Sequence, residues 1–373
     1  MKLQCSASRG AIVAMKNGFH SAELLHRPQS CVPKVRPSSE EFVSKLLDRR
    51  WALPSPDTKI HQIMLSPPQV RSRGGPFGYT SLLNNTQPAF GDGMMAKDEK
   101  NPSFYIVRDD LLHPLVNGNK ARKLDGLLPL IEDHSVTDVA TVVMWYCSVT
   151  FLKLLLPVKL LKLQTLRKWM LIEVLKTVQE RLSLSMKAQG RLWPYWYLSQ
   201  NHLLGTERPL KFVVDAGTGT TAVGLGLGAL CLGLPWEVTA VMLADTVDGY
   251  KEQEKRLISN FKRCFSFHDL VDHSLNEVHD DGIVNWVERC HPRKFGNVLK
   301  GEVEACQQIA QQTGILVDPM YTLAAWEMAA LLSEEGKGAV NVVMLHTGGT
   351  LGMFGLAQRY KSYFHTLKDG LSI

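Results

Sequence analysis

Lys211-Phe212-Val213-Val214-Asp215-Ala216-Gly217-Thr218-Gly219-Thr220-Thr221 runs from a short apolar segment straight into a Gly/Thr turn. The first six residues read as a buried strand, and the Gly-spaced apolar run from Ala222 to Leu234 reads as a helix. Strand, Gly/Thr turn and helix start, in that order, make an anion cup. Backbone N–H groups and threonine hydroxyls face a phosphate, and the helix dipole supports its charge. An ordinary strand-to-helix turn has the same outline. The Lys-Ser/Thr ending of a Walker loop and the third glycine of a dinucleotide fingerprint are both missing, which disfavours a nucleotide.

Upstream, Asn117-Gly118-Asn119-Lys120-Ala121-Arg122-Lys123-Leu124 sets a lysine after a small turn and among further cations. Such a lysine is suited to trapping a carbonyl as a Schiff base, because the neutral amine is the nucleophile. A Gly-Asn turn opening a basic helix is the plain structural alternative. An aldehyde-trapping lysine together with a phosphate cup is what pyridoxal phosphate requires.

Four landmarks stand in order along the chain. They are Gly118-Asn119-Lys120-x-Arg122-Lys123-Leu124, Gly217-Thr218-Gly219-Thr220-Thr221, Asp318-Pro319-Met320-Tyr321-Thr322 and His346-Thr347-Gly348-Gly349. Together they resemble the landmarks of the D-cysteine desulfhydrase and 1-aminocyclopropane-1-carboxylate deaminase family, over roughly residues 104–139 and 198–356. The resemblance implies an α/β, tryptophan synthase beta-like fold (fold type II of the pyridoxal-phosphate enzymes) with a large parallel-sheet domain. It implies that Lys120 holds the cofactor's aldehyde and shuttles a proton at the substrate α-carbon, with Asn119 beside it in the cofactor-binding set. Gly217, Thr218, Gly219, Thr220 and Thr221 would cradle the phosphate. Thr347 would be a neutral hydrogen-bond partner for the pyridine nitrogen, leaving the ring unprotonated and a milder electron sink. Tyr321 would lie near the cofactor as an acid/base or substrate-orienting phenol, although an aromatic packed behind a Pro turn reads equally well as structural.

Within the family the desulfhydrase branch matches better, since Thr322 follows Tyr321 and Thr347 follows His346, where deaminases tend to carry Glu and Leu. The reaction so implied is α,β-elimination from a small amino acid, giving hydrogen sulfide, pyruvate and ammonia. The deaminase itself, a serine or threonine deaminase or synthase of the same fold, and a non-catalytic isoform that binds cofactor or a partner are the alternatives.

The resemblance lapses between Val139 and Leu198. After a strand expected at 139–143, the family presents a Gly-Gly turn and a Ser/Asn-His loop that hold the substrate carboxylate and the cofactor's ring hydroxyl. This chain reads Met144-Trp145-Tyr146-Cys147-Ser148 instead. Residues 150–163, TFLKLLLPVKLLKL, place Pro157 where it would break a helix. Lysines at 153, 159 and 162 interrupt any membrane span. An amphipathic surface helix and a poorly packed one remain as readings. A third explanation lies in the genetic code. Permitted codons for Arg181 to Trp196, read one nucleotide out of register, spell K-V-V-V-V-N-E-G-x-G and then A-x-L-G, the strand and acidic Gly turn by which this family returns to its large domain. Residues 144–196 are therefore expected to be an out-of-frame translation, from alternative splicing or a gene-model error, that replaces most of the small domain and leaves it truncated or corrupted.

The resulting organisation is a transit peptide or disordered tail at 1–39, an N-terminal arm and part of the large domain at 40–135, a remnant small domain at 136–200, and the large cofactor-binding domain at 201–373. The 373 residues and 45% hydrophobic content suit a globular enzyme. The net charge of +6 is concentrated at the N-terminus, where residues 1–39 carry six Lys/Arg against Glu23 alone. No basic stripe interleaved with aromatics argues for nucleic acid. The basic, acid-poor opening, with its short apolar stretch Gly10 to Ala14, reads as a mitochondrial transit peptide, with plastid or cytoplasmic placement as alternatives. Residues 45–93, rich in Pro, Ser, Gly and Asn, read as an extended arm over the large domain.

Seven cysteines without a C-x-x-C pair give no disulfide or metal framework, and His268, His273 and His279 do not share a helical face at ligand spacing. No metal, nucleic acid or membrane is expected as a partner. A homodimer is left open. Downstream of the cup the pattern is a strand at 239–244, a solvated helix over 245–263, helices at 301–313 and 323–333 around the Asp318-Pro319 turn, and a strand at 340–346. Alternation of this kind argues for a parallel sheet with its working residues at the strand ends.

Overall fold

A computed structural model describes residues 57–66, 81–88, 102–113, 118–122, 124, 125, 128, 198–200, 203–265, 282–335 and 341–365. All lie within one compact unit, Lys34–Ile373. The segments read as a transit peptide (1–39), a strand (139–143) and out-of-frame translation (144–196), together with Lys123 and the three histidines at 268, 273 and 279, fall outside the described residues.

Seven strands form one sheet: β1 (Ile60–Ser66), β2 (Ser81–Asn85), β3 (Ser103–Val107), β4 (Leu210–Ala216), β5 (Trp236–Met242), β6 (Asn285–Val287) and β7 (Asn341–Leu345), in the order β2-β1-β3-β7-β4-β5-β6. The five strands from β3 to β6 run parallel. Their carboxyl ends therefore open along one edge, where open α/β sheets bind ligands. Two stretches of the segment read as an arm join the sheet itself. β1 pairs antiparallel with both β2 and β3, setting Ile63 opposite Phe104. Ile60, Ile63 and Leu65 are buried there, so this part of the chain is held by core packing as well as backbone bonds.

Both faces of the sheet are covered, which explains why β4 is apolar at consecutive positions rather than alternate ones. Phe212, Val214 and Ala216 point into one core with α1 (Thr220–Cys231) and α2 (Val247–Phe265), while Val213 joins a second core with α3 (Glu302–Thr313) and α4 (Thr322–Glu335). In the second core Trp326 meets Phe104 edge to face, with ring centroids 5.2 Å apart. Asp215 alternates to the same face as Val213, beneath the turn that leads into α4. The helix read as solvated over 245–263 is α2. It buries Tyr250, Glu254, Leu257 and Phe261 at helical spacing and leaves its other face in water. Two short helices, α5 (Gly352–Arg359) and α6 (Lys361–His365), end the described chain and enclose a small third core with Val298, Val303 and Leu356.

Candidate active site

Three segments meet at the carboxyl edge of the sheet: the lysine turn after β3, the Gly/Thr loop after β4, and the His-Thr-Gly-Gly turn after β7. Gly118 makes their contact possible. It adopts φ 61°, and a β-carbon there would lie 1.8 Å from the Thr347 carbonyl oxygen, so only glycine allows the two backbones to come this close. Its own N–H donates to the Asp109 carbonyl at 2.8 Å. The next N–H, that of Asn119, donates to the Thr347 carbonyl at 3.0 Å. The Asn119 side-chain amide reaches the other way and donates to Thr221 Oγ1 at 3.1 Å. Lys120 follows at once, exposed at the edge of this junction.

The Gly/Thr loop has the geometry of an anion cup. Gly219 stands before α1 with φ 71°, and no side chain caps the helix. Its first N–H groups precede the first intrahelical bond, from Val223 N–H to the Gly219 carbonyl at 3.1 Å, and so remain for a ligand. Thr218 and Thr220 hydroxyls bond each other at 3.0 Å. A β-carbon at Gly219 would come within 2.9 Å of the Trp286 ring, and one at Gly217 would sit 3.4 Å from the Tyr321 ring. The cup is thus floored by Trp286 and flanked by Tyr321.

Residues invisible to the sequence reading hold the cup from behind. Tyr250 Oη lies 2.5 Å from the Ala216 carbonyl and 2.9 Å from that of Gly217, and accepts the N–H groups of Leu243 and Ala244 at 3.3 and 3.1 Å. One hydroxyl thereby ties the end of β4 to the end of β5. The Tyr250 ring stacks on Trp286 at 4.8 Å, and the Trp286 indole N–H donates to Glu254 Oε2 at 2.7 Å. Glu254 also accepts the N–H groups of Ile283 and Val284, while burial pushes its carboxyl above the ordinary range. The buried spacing of Tyr250, Glu254 and Leu257 on an otherwise charged helix is the one sequence signal that could have pointed here.

Tyr321 is positioned by the turn before α4. Asp318 Oδ1 accepts the N–H groups of Met320 and Tyr321, both at 2.9 Å, and Arg289 and Arg293 each donate to the Pro319 carbonyl at 2.8 Å. Burial, reinforced by the charges of Asp318 and Asp215, pushes the Tyr321 phenol above its ordinary value. At neutral pH it is therefore a hydrogen-bond donor and a proton source rather than a phenolate.

Arg122, one of the cations beside the lysine, has a buried guanidinium that pairs with Asp109 at 3.0 Å. This pair anchors the lysine turn. Thr322 is fully buried, donating its hydroxyl to Asp318 Oδ2 at 2.9 Å and accepting the Asp318 N–H at 2.8 Å. Its work is to close the turn. Thr347 is buried, and its hydroxyl donates to Asp215.

His346 supports the Thr347 turn. Its Nε2–H donates to the Leu316 carbonyl at 2.9 Å, which leaves Nδ1 to accept the Gly348 N–H at 3.3 Å. This arrangement requires a neutral ring. Burial does push the His346 imidazole below its ordinary value, against an opposing pull from Asp110.

Lysine, uncapped helix start and threonine hydroxyls form a donor set that suits a phosphorylated aldehyde. Among the described residues no group of His, Cys, Asp and Glu could hold a metal ion, and no helix is long and apolar enough to cross a membrane.

Comparison with known proteins agrees with this geometry. A protein of Oryza sativa subsp. japonica named "Putative D-cysteine desulfhydrase 2, mitochondrial" is 40% identical over 409 residues, covering 89% of this chain and 98% of the relative. The chain belongs to the D-cysteine desulfhydrase and 1-aminocyclopropane-1-carboxylate deaminase family. An Arabidopsis thaliana relative named bifunctional D-cysteine desulfhydrase/1-aminocyclopropane-1-carboxylate deaminase, mitochondrial, is 24% identical over 151 residues, or 39% of this chain and 34% of that protein. A crystal structure titled as an ACC deaminase homologue superposes with a TM-score of 0.58 at 17% identity, covering 86% of this chain and 98% of its own. That likeness establishes the fold expected for the family. No family model matches the chain.

Two outcomes follow for the supports of this site. Tyr250→Phe removes the hydroxyl that bridges the Ala216 and Gly217 carbonyls to the Leu243 and Ala244 N–H groups and should lower stability by about 1 kcal/mol, read as a reduced urea midpoint; an unchanged midpoint would show that the hydroxyl carries no weight. Because the fold holds His346 neutral, the unfolded chain takes up a proton that the folded chain resists. Stability should therefore be full above about pH 6.5 and fall as pH drops below it. Urea midpoints at pH 7.5 and 5.5 should show this loss, with a shallower slope in His346→Asn; equal slopes would contradict the assignment.

Proposed function

We propose that the chain is built as a pyridoxal-phosphate-dependent lyase acting on a small amino acid, of the D-cysteine desulfhydrase type. The observation that carries this reading is the bond between Asn119 and Thr221, which brings the lysine turn to the rim of the phosphate cup. Lys120 would hold the cofactor's aldehyde and then, once released, move a proton at the substrate α-carbon. Gly217 to Thr221 would bind its phosphate through backbone N–H groups and hydroxyls. When bound, the cofactor supplies an electron sink that stabilises negative charge at the α-carbon. Tyr321, held protonated, would orient the substrate or hand a proton to the leaving sulfur. The net reaction breaks the Cα–H and Cβ–S bonds of cysteine, releases hydrogen sulfide, and lets water convert the remaining enamine to pyruvate and ammonia. The names of the rice and Arabidopsis relatives favour this chemistry and a mitochondrial location.

Turnover by this chain should nevertheless be weak. The alignment to the rice relative has 409 positions but takes in 89% of 373 residues, about 332, so roughly 77 positions fall opposite a gap in this chain. A shortfall of that size fits the expectation that this chain is shorter than the family. Without the family's Ser/Asn-His loop, the carboxylate clamp that fixes reaction geometry is lost, and reaction geometry is what such clamps contribute.

Binding and turnover can be measured separately. Borohydride reduction of the full chain with pyridoxal phosphate, followed by peptide mapping, should place the label on Lys120 and lose it in Lys120→Ala. Label elsewhere would refute the assignment of the lysine. Sulfide release from D-cysteine should be at or near background, and robust release would show that the clamp is dispensable or present in another form.

A further inference from the structure

Thr347 has a second partner that its expected role leaves out. The resemblance makes its hydroxyl a neutral neighbour of the cofactor's ring nitrogen, yet in this structure that hydroxyl donates its proton to Asp215. A hydroxyl carries one proton and two lone pairs. With the proton committed to a carboxylate, the threonine oxygen can only accept from whatever lies on its other side. A bare pyridine nitrogen there would set lone pair against lone pair. A protonated one would donate to Thr347 and complete a chain from ring N–H to threonine oxygen to carboxylate.

Asp215 is well placed for such a role. It is buried at the carboxyl end of β4, two residues before the loop that would hold the phosphate, and on the face of the sheet that carries Tyr321. Its position is fixed by the strand: β4 pairs with β5 through Asp215 opposite Val241. A carboxylate so buried is costly unless it is hydrogen-bonded, and a positive charge one hydroxyl away would offset that cost further. Neither the phosphate cup nor the proton transfers at the α-carbon otherwise make use of it.

We propose that Asp215, acting through Thr347, keeps the ring nitrogen of bound pyridoxal phosphate protonated. This inference rests on the proposed cofactor function and deepens it. Asp215 is a positioning residue, since Thr347 stands between it and the cofactor. The chain then has the strong electron sink of an enzyme whose ring nitrogen faces an acid directly, although the residue that faces it is a threonine. The milder sink implied by the family resemblance is replaced by a charged one.

The test is nitrogen NMR on the full chain loaded with pyridoxal phosphate labelled with 15N in the ring, after borohydride mapping on a parallel sample has established the link to Lys120. The unreduced native protein should show the upfield shift of a protonated pyridine. Asp215→Asn and Thr347→Val should each move the resonance to the neutral-pyridine position while the link to Lys120 still forms. A neutral nitrogen in the native protein, with the link intact, would overturn the relay and leave the cofactor function standing. A protonated nitrogen in all three proteins would overturn Asp215 as its source. Absence of any link to Lys120 would overturn the cofactor function and the relay with it. Should Asp215→Asn fail to fold, the native resonance and Thr347→Val still test the relay, because valine keeps the shape of threonine and replaces its hydroxyl with a methyl group.

Discussion

The architecture of this site depends on one close approach, that of the Gly118 backbone to the Thr347 carbonyl. Because no β-carbon intervenes, the Asn119 N–H reaches that carbonyl and the Asn119 side chain reaches Thr221 on the opposite side. Three loops that leave three different strands are thereby fastened at a single asparagine. Lys120, next in sequence, inherits its place from these bonds. Their supports are charged and buried: Asp109 pairs with Arg122 on the same turn, and the Tyr321 turn is held by Asp318 and by Arg289 and Arg293, which both pair with Glu302. Buried pairs of this sort add little net stability over apolar packing, but breaking one leaves a charge stranded. Their contribution here is to define where the loops go.

Much of this was legible in the chain itself, and the reasons are local. The strand ending at Ala216 announces itself by consecutive apolar residues, as expected for a strand covered on both faces. The Gly/Thr turn and the apolar helix after it follow without interruption. Helices starting near 301 and 322 are marked by glycine and by the Asp318-Pro319 turn. The sequence-expected elements lie within about three residues of the observed ones at these positions.

What was not legible depends on partners distant in sequence. Arg122 and Asp109 are a short step apart, yet nothing in their spacing tells a free cation from a buried pair. That Thr322 closes its turn through three bonds with Asp318 is visible only in the fold. Tyr250 and Trp286 come from a helix and a strand far along the chain and meet beneath Gly219 only because β5 and β6 are neighbours. Residues 60–66 and 81–85 extend the sheet as two antiparallel strands, with 81–85 at its edge, a pairing that short, Pro-flanked segments do not advertise. Asp215 was visible as the one acid in an apolar strand, but its meaning appeared only when Thr347 was found donating to it.

The central claim is that the loop from Gly217 to Thr221 receives a phosphate whose attached ring reaches Lys120. Crystals of the full chain grown with pyridoxal phosphate measure this directly. Electron density should show the phosphate within hydrogen-bond reach of the loop's N–H groups and continuous density from the cofactor's aldehyde carbon to the Lys120 side chain. Cofactor density in any other place, or a filled loop with Lys120 turned away from it, would contradict the account.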